Sequence, residues 1–132
     1  MTKKVLLVDD DEITHIIGTR LMQVTCFAKE IVTISNGKEA IDYFANLVNF
    51  KKEEAPEIIF LDINMPVMNG WDFLENFMNL FYPHFPMIKI FMLSSSVNQE
   101  DITRAKKYPP VKDYIIKPLT KESLEKLLSI QV

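Results

Sequence analysis

Short apolar runs alternate with stretches of helical period along the whole chain, and this alternation leaves few folds open. Residues 4–8, Ile31-Val32-Thr33-Ile34, residues 57–61, the run from Met87 to Leu93 and the run from Val111 to Ile116 each predict a strand. Residues 12–25 predict a helix with Ile13, Ile16, Ile17, Leu21 and Val24 on one face and Asp11 as its cap. Ala40, Ile41, Phe44, Leu47 and Val48 mark a second amphipathic helix. Phe73, Leu74, Phe77, Met78 and Phe81 mark a third, opened by Asn69-Gly70. Residues 98–107 give a weaker one carrying Ile102 and Ala105, stopped by Pro109-Pro110. Thr120 caps the last, with Leu124, Leu127 and Leu128 on its inner face. The prolines of Tyr82-Pro83-His84-Phe85-Pro86 force a loop, and Lys51 to Pro56 is a polar one. Strands this apolar are buried on both sides. The expected class is therefore α/β: a doubly wound, five-stranded parallel sheet flanked by five helices, with right-handed crossovers.

The 132 residues suit one domain, 1–132, large enough for a real core. A net charge of −3 with no basic stripe argues against nucleic acid as a partner. Cys26 is the single cysteine, so an internal disulfide is excluded and a thiol-based metal site disfavoured. The basic start Met1-Thr2-Lys3-Lys4 is followed by only four apolar residues, too few for a signal peptide or a membrane span. A soluble, cytoplasmic protein is the expectation.

In open parallel sheets, ligands bind outside the carboxyl ends of the strands. There the chain places Asp9 and Asp10 after the first strand, Asp62 after the third, Ser94 after the fourth and Lys117 after the fifth. Taken singly each has a bland explanation: an acidic pair at a helix start answers the helix dipole, and a lysine before proline is usually solvated. Their joint placement reverses the odds. Crowded carboxylates repel, and a hard cation such as Mg²⁺ relieves the repulsion. Asp10 and Asp62 are expected as direct ligands, Asp9 directly or through water, with the backbone carbonyl of Asn64 as a further ligand. Lys117 favours ionised Asp62, a carboxylate able to attack phosphorus, and Ser94 offers a hydroxyl to the product phosphate. All of this requires the first, third and fifth strands to lie side by side.

Val5-Leu-Leu-Val-Asp-Asp, Leu61-Asp-Ile-Asn-Met-Pro-Val-Met-Asn-Gly, Met92-Leu-Ser-Ser and Tyr114-Ile-Ile-Lys-Pro-Leu-Thr120 stand in this order. In them the chain resembles the receiver (CheY-like) domain of two-component response regulators. The resemblance covers nearly the whole chain and implies a flavodoxin-like sheet of order 2-1-3-4-5. It implies that Asp62 takes a phosphoryl group from a histidine kinase or a histidine phosphotransfer protein, and that Asp9 and Asp10 hold Mg²⁺. It further implies Ser94 as switch hydroxyl, Tyr114 as switch aromatic, Lys117 as the site lysine and a cis bond before Pro118. Asn64 and Ser96 would flank the site and tune hydrolysis. Phosphorylation would repack the surface of helix four, strand five and helix five. The chain ends about one turn after Leu128, on the inner face of helix five, so a stand-alone receiver acting on an unknown output protein is expected, a phosphoacceptor rather than an enzyme.

Departures from the family pattern lie in Tyr108-Pro109-Pro110-Val111, where a small Gly-Ala-type segment is usual, and in an expected short or displaced helix four. The span from Phe77 to Phe85 is unusually aromatic. Tyr82 and Phe85 fall outside the helical stripe, as loop packing or a partner contact. His15 is expected at the surface near the docking area, and neither it nor His84 as a catalytic group. Trp71 is expected close enough to the Asp62 loop to sense Mg²⁺. Two alternatives stand beside this reading. Asp9-x-Asp11 is faintly similar to haloacid-dehalogenase-type phosphatases, and a degenerate, non-phosphorylated receiver or flavodoxin-like binding module is the other.

Overall fold

The computed structural model describes residues 2–95 and 97–131, and strand and helix alternate through them. In order they are β1 (Thr2–Val8), α1 (Glu12–Val24), β2 (Ala28–Ile34), α2 (Gly37–Phe50), β3 (Ile58–Asp62), α3 (Gly70–Leu80), β4 (Lys89–Ser94), α4 (Gln99–Ala105), β5 (Val111–Ile116) and α5 (Lys121–Gln131). A 3-10 turn at Lys52–Glu54 interrupts the polar loop before β3. All pairings are parallel and the order is β2-β1-β3-β4-β5. β1 and β2 start earlier than their apolar runs, because Thr2 pairs with Ala28 and Lys4 with Glu30. β4 starts later: Met87, just after Pro86, is exposed.

Alternate strand residues feed two separate cores, as the pleat demands. Leu6, Val8, Ile59, Leu61, Ile90 and Met92 face α2 and α3, where Phe44, Phe73, Phe77, Phe81 and Phe85 cluster. Val5, Leu7, Ile58, Phe60, Phe91 and Leu93 face the other way, under Met22, Leu124 and Leu127. Phe44 lies within 5.3–6.2 Å, centroid to centroid, of four other phenylalanine rings. Phe85 is buried in this cluster and Tyr82 packs against it, so both loop rings belong to the core.

Side-chain caps set the helix starts. Asp11, Asn36, Asn69 and Asn98 each accept a backbone N–H of the first turn of α1, α2, α3 and α4. At α5, Thr120 and Ser123 bond reciprocally: Ser123 N donates to Thr120 Oγ1 and Thr120 N to Ser123 Oγ. The chain leaves α1 through Cys26, whose φ of 55° places it in the left-handed region. There Phe27 N donates to Met22 O and Cys26 N to Gln23 O, a Schellman close.

The apolar stripe of α1 is the main departure from the expected packing. Ile13, Ile16, Ile17 and Val24 are 64, 66, 46 and 62% exposed, while Gly18 and Met22 are buried. Gly18 explains the choice of face. A Cβ there would come within 3.1 Å of Leu7, so the missing side chain lets α1 settle close to the sheet and turns the isoleucines outward.

Candidate functional site

Parallel strands deliver their carboxyl ends to one edge, and the five expected residues meet that edge as anticipated. One route differs. β4 lies between β3 and β5, so the first, third and fifth strands are not all neighbours. Lys117 instead reaches across the end of β4, held by its own N–H donating to Ser94 O at 2.8 Å. The Lys117–Pro118 bond is cis.

Lys117 Nζ sits 2.7 Å from Asp9 Oδ2 and 3.3 Å from Asp62 Oδ1. Asp9 is fully buried and Asp62 nearly so, whereas Asp10 is exposed. The short ion pair therefore goes to Asp9, with Asp62 on its other flank. Asp9 Oδ1 accepts Asp11 N–H at 2.8 Å, which orients it. Asn64 N–H approaches Asp62 Oδ1 at 3.4 Å. Ser94 is fully buried, one residue past Leu93, the register partner of Asp62. Ser96 lies outside the described residues.

Electrostatics follow from this crowding. Burial, and then the charge of Asp9, push the Asp62 carboxyl up to about 7 against the pull of Lys117. Burial works against the Lys117 charge, yet its bond to Asp9 and the charges of Asp62 and Asp9 hold its pKa above the ordinary lysine value. One carboxylate oxygen from each of Asp9, Asp10 and Asp62 lies within 4.8 Å of the others. An all-oxygen donor set, with one exposed member and more negative charge than one lysine balances, fits a hard divalent cation.

Two backbone features hold the loop after Asp62, and neither was read from the sequence. Gly70 N donates to Ile63 O at 2.8 Å, and a Cβ on Gly70 would fall 2.4 Å from Asp62 O. Only glycine lets α3 start this close to Asp62. Val67 has φ 68° and is the centre of a γ-turn closed by Met68 N to Pro66 O at 2.7 Å. That is a strained conformation for a β-branched residue. In the sequence Asn69-Gly70 reads as the opening of a helix, with no sign that Val67 carries the strain.

The remaining site residues also have definite places. Tyr114 is half-buried on β5, opposite Met92, in a small cavity shared with Ile102 and Ala105 of α4. Asp11 caps α1 and stands outside the carboxylate cluster of Asp9, Asp10 and Asp62. His15 is half-buried, its Nε2 enclosed and without a hydrogen-bond partner, rather than a surface residue. His84 is exposed in the loop before β4, at the opposite edge of the sheet.

The response regulator receiver domain model matches residues 5–129. The chain belongs to this family. Among curated relatives, the receiver is 32% identical over 119 residues to the chemotaxis protein CheY of Thermotoga maritima, covering 89% of this chain and 88% of that one. It also matches longer regulators, of which it spans less than half the length. Among solved structures, a two component response regulator from Cytophaga hutchinsonii superposes with a TM-score of 0.89 at 33% identity, covering 98% and 96% of the two chains. CheY in a CheX–CheY–BeF3–Mg²⁺ complex from Borrelia burgdorferi superposes with a TM-score of 0.80 at 26% identity, covering 98% and 90%. Receivers are generally phosphoacceptors that bind Mg²⁺ at an acidic pocket and work with histidine kinases or phosphotransfer proteins and with output partners. Among the described residues, no helix is long and apolar enough to cross a membrane.

Proposed function

We propose that this receiver takes a phosphoryl group onto Asp62 from a phosphohistidine, and that the change of charge alters a protein-binding surface. The observation that carries the reading is Lys117 Nζ standing between two buried carboxylates, 2.7 Å from Asp9 and 3.3 Å from Asp62, beside an exposed third acid. In the transfer, an Asp62 oxygen attacks phosphorus and forms an acyl phosphate. The N–P bond breaks, and the donor imidazole leaves with the electron pair. Lys117 orients Asp62 beforehand and meets charge on the transferred oxygens afterwards. Ser94 would donate its hydroxyl to the product. Tyr114 would follow it inward against α4. Asp9, Asp10, Asp62 and the carbonyl of Asn64 are the residues that would hold Mg²⁺. When bound, the ion supplies positive charge to the phosphoryl oxygens.

The exposed isoleucines of α1 suggest where the donor docks. Ile13 and Ile17 border a cavity of about 290 Å³ that also includes Asp11, Gly18, Lys117 and Leu119, directly beside the site. An apolar helix face next to a phosphoacceptor suits a helical phosphodonor protein.

Intact-mass analysis after treatment with acetyl phosphate and Mg²⁺ tests the proposal. One phosphoryl adduct mapped to Asp62, absent from Asp62→Asn, is expected. Full labelling of Asp62→Asn would refute the assignment. Ile16→Asp should slow transfer from a phosphohistidine protein and leave labelling by acetyl phosphate unchanged.

A further inference from the structure

α4 is too short to be stable by its own hydrogen bonds. It has seven residues, of which only Ala105 is buried. Glu75 of α3 and Gln99, Glu100, Thr103 and Arg104 of α4 line an open groove of about 750 Å³. One cluster bridges the two helices. The Arg104 guanidinium lies 4.4 Å from the Trp71 ring centroid. The Tyr108 ring stacks on Trp71 at 6.3 Å and 25°. The Tyr108 hydroxyl donates to Glu75 Oε1. Trp71 and Glu75 belong to α3; Arg104 lies in the last turn of α4 and Tyr108 just beyond it.

The position of this cluster gives it a mechanical consequence. α4 hangs at its start from β4, whose last residue is Ser94, and is fastened at its end by Tyr108 and Arg104. Trp71 follows Gly70, the residue that touches the Asp62 backbone. A movement of Ser94 toward a phosphoryl group would act on the chain that leads into α4, whose other end the cluster holds.

We propose that Trp71, Glu75, Arg104 and Tyr108 form a latch that holds α4 against α3 and opposes the switched state, so that opening it speeds phosphorylation of Asp62. The coupling to phosphorylation rests on the function proposed above; the fastening of α4 does not. A ligand favours the state it binds better, so a contact confined to the resting state sets how readily the other is populated. Burial, and then the bond to Glu75, hold the Tyr108 hydroxyl above its ordinary pKa, which keeps it a donor.

Hydrogen exchange and labelling together test the latch. Tyr108→Phe keeps the ring stack and removes the hydroxyl, and Glu75→Ala removes only an exposed acceptor, so both are expected to fold. In the unmodified proteins, exchange of the α4 amides should quicken about fivefold in either variant, the equilibrium factor of one hydrogen bond. Labelling by acetyl phosphate with Mg²⁺, followed by intact mass, should quicken by a similar factor. Trp71 is the sole tryptophan, and its emission should shift on labelling of the wild type. Unchanged α4 exchange in both variants would overturn the latch whether or not Asp62 is phosphorylated. Faster exchange with unchanged labelling rates would overturn the coupling alone. A wild type that takes no phosphoryl group would refute the proposed function and the coupling with it, leaving the fastening to the exchange result.

Discussion

Replacing Asp62 with asparagine should stabilise the protein, and by an amount that depends on pH. The folded state binds the Asp62 proton more tightly than the unfolded state, because its carboxyl is raised from 3.8 to about 7. Below the lower value both states are protonated, and the group contributes no pH-dependent cost. Between the two the folded state alone retains the proton, so stability falls as pH rises. Above about 7 both are ionised and the full cost of the buried charge is present. Three pKa units correspond to about 4 kcal/mol at most. The asparagine side chain would retain the size of the aspartate and an oxygen for Asn64 N–H, but would lose the pairing with Lys117. A net gain of about 2–3 kcal/mol at pH 8 is therefore expected, or about 10 °C in Tm for a domain of this size. The assay is urea and thermal denaturation of wild type and Asp62→Asn at intervals from pH 4 to pH 8, without divalent cation. The two stability curves should meet near pH 4 and separate steadily to about pH 7. Parallel curves would refute the reasoning, because Asp62 would then carry no strained charge. Adding Mg²⁺ at pH 8 should narrow the gap by stabilising the wild type.

Other perturbations separate the site from the scaffold. Lys117→Ala leaves the fully buried Asp9 without its cation and should cost about 3 kcal/mol at pH 8, read by urea denaturation, with loss of labelling by acetyl phosphate. Gly70→Ala brings a methyl against the Asp62 carbonyl, so either α3 or the Asp62 loop must shift. Slower phosphorylation together with about 2 kcal/mol of lost stability is expected, by intact mass and thermal melts. Phe44→Ala removes the ring at the centre of the phenylalanine cluster and should cost about 3–5 kcal/mol in denaturant. Val67→Asn should raise Tm by about 3 °C, since asparagine tolerates the left-handed region that strains valine.

The legible parts of the chain were those governed by local period and by caps. Buried strands read as continuous apolar runs, and Asp11, Asn69 and Thr120 start the helices they precede. The site residues were legible because a parallel sheet brings the ends of its strands to one edge, whatever the details of packing. α1 misleads for a complementary reason. Its apolar stripe is a true helical period, but a period says which residues share a face and not which face the sheet takes. Gly18, with no side chain to read, decided that.

What the amino-acid sequence determined alone was therefore the inventory: the alternating elements, their caps, and three acids, a hydroxyl and a lysine at strand ends. Tertiary structure decided the pairing. It gave the short ion pair of Lys117 to buried Asp9, routed that lysine past Ser94, and fastened the short α4 to α3 through Trp71 and Tyr108. Those choices turn on distances of a few tenths of an ångström between groups far apart in the chain. Packing energies change steeply over such distances, while the local propensities written in the sequence do not change at all.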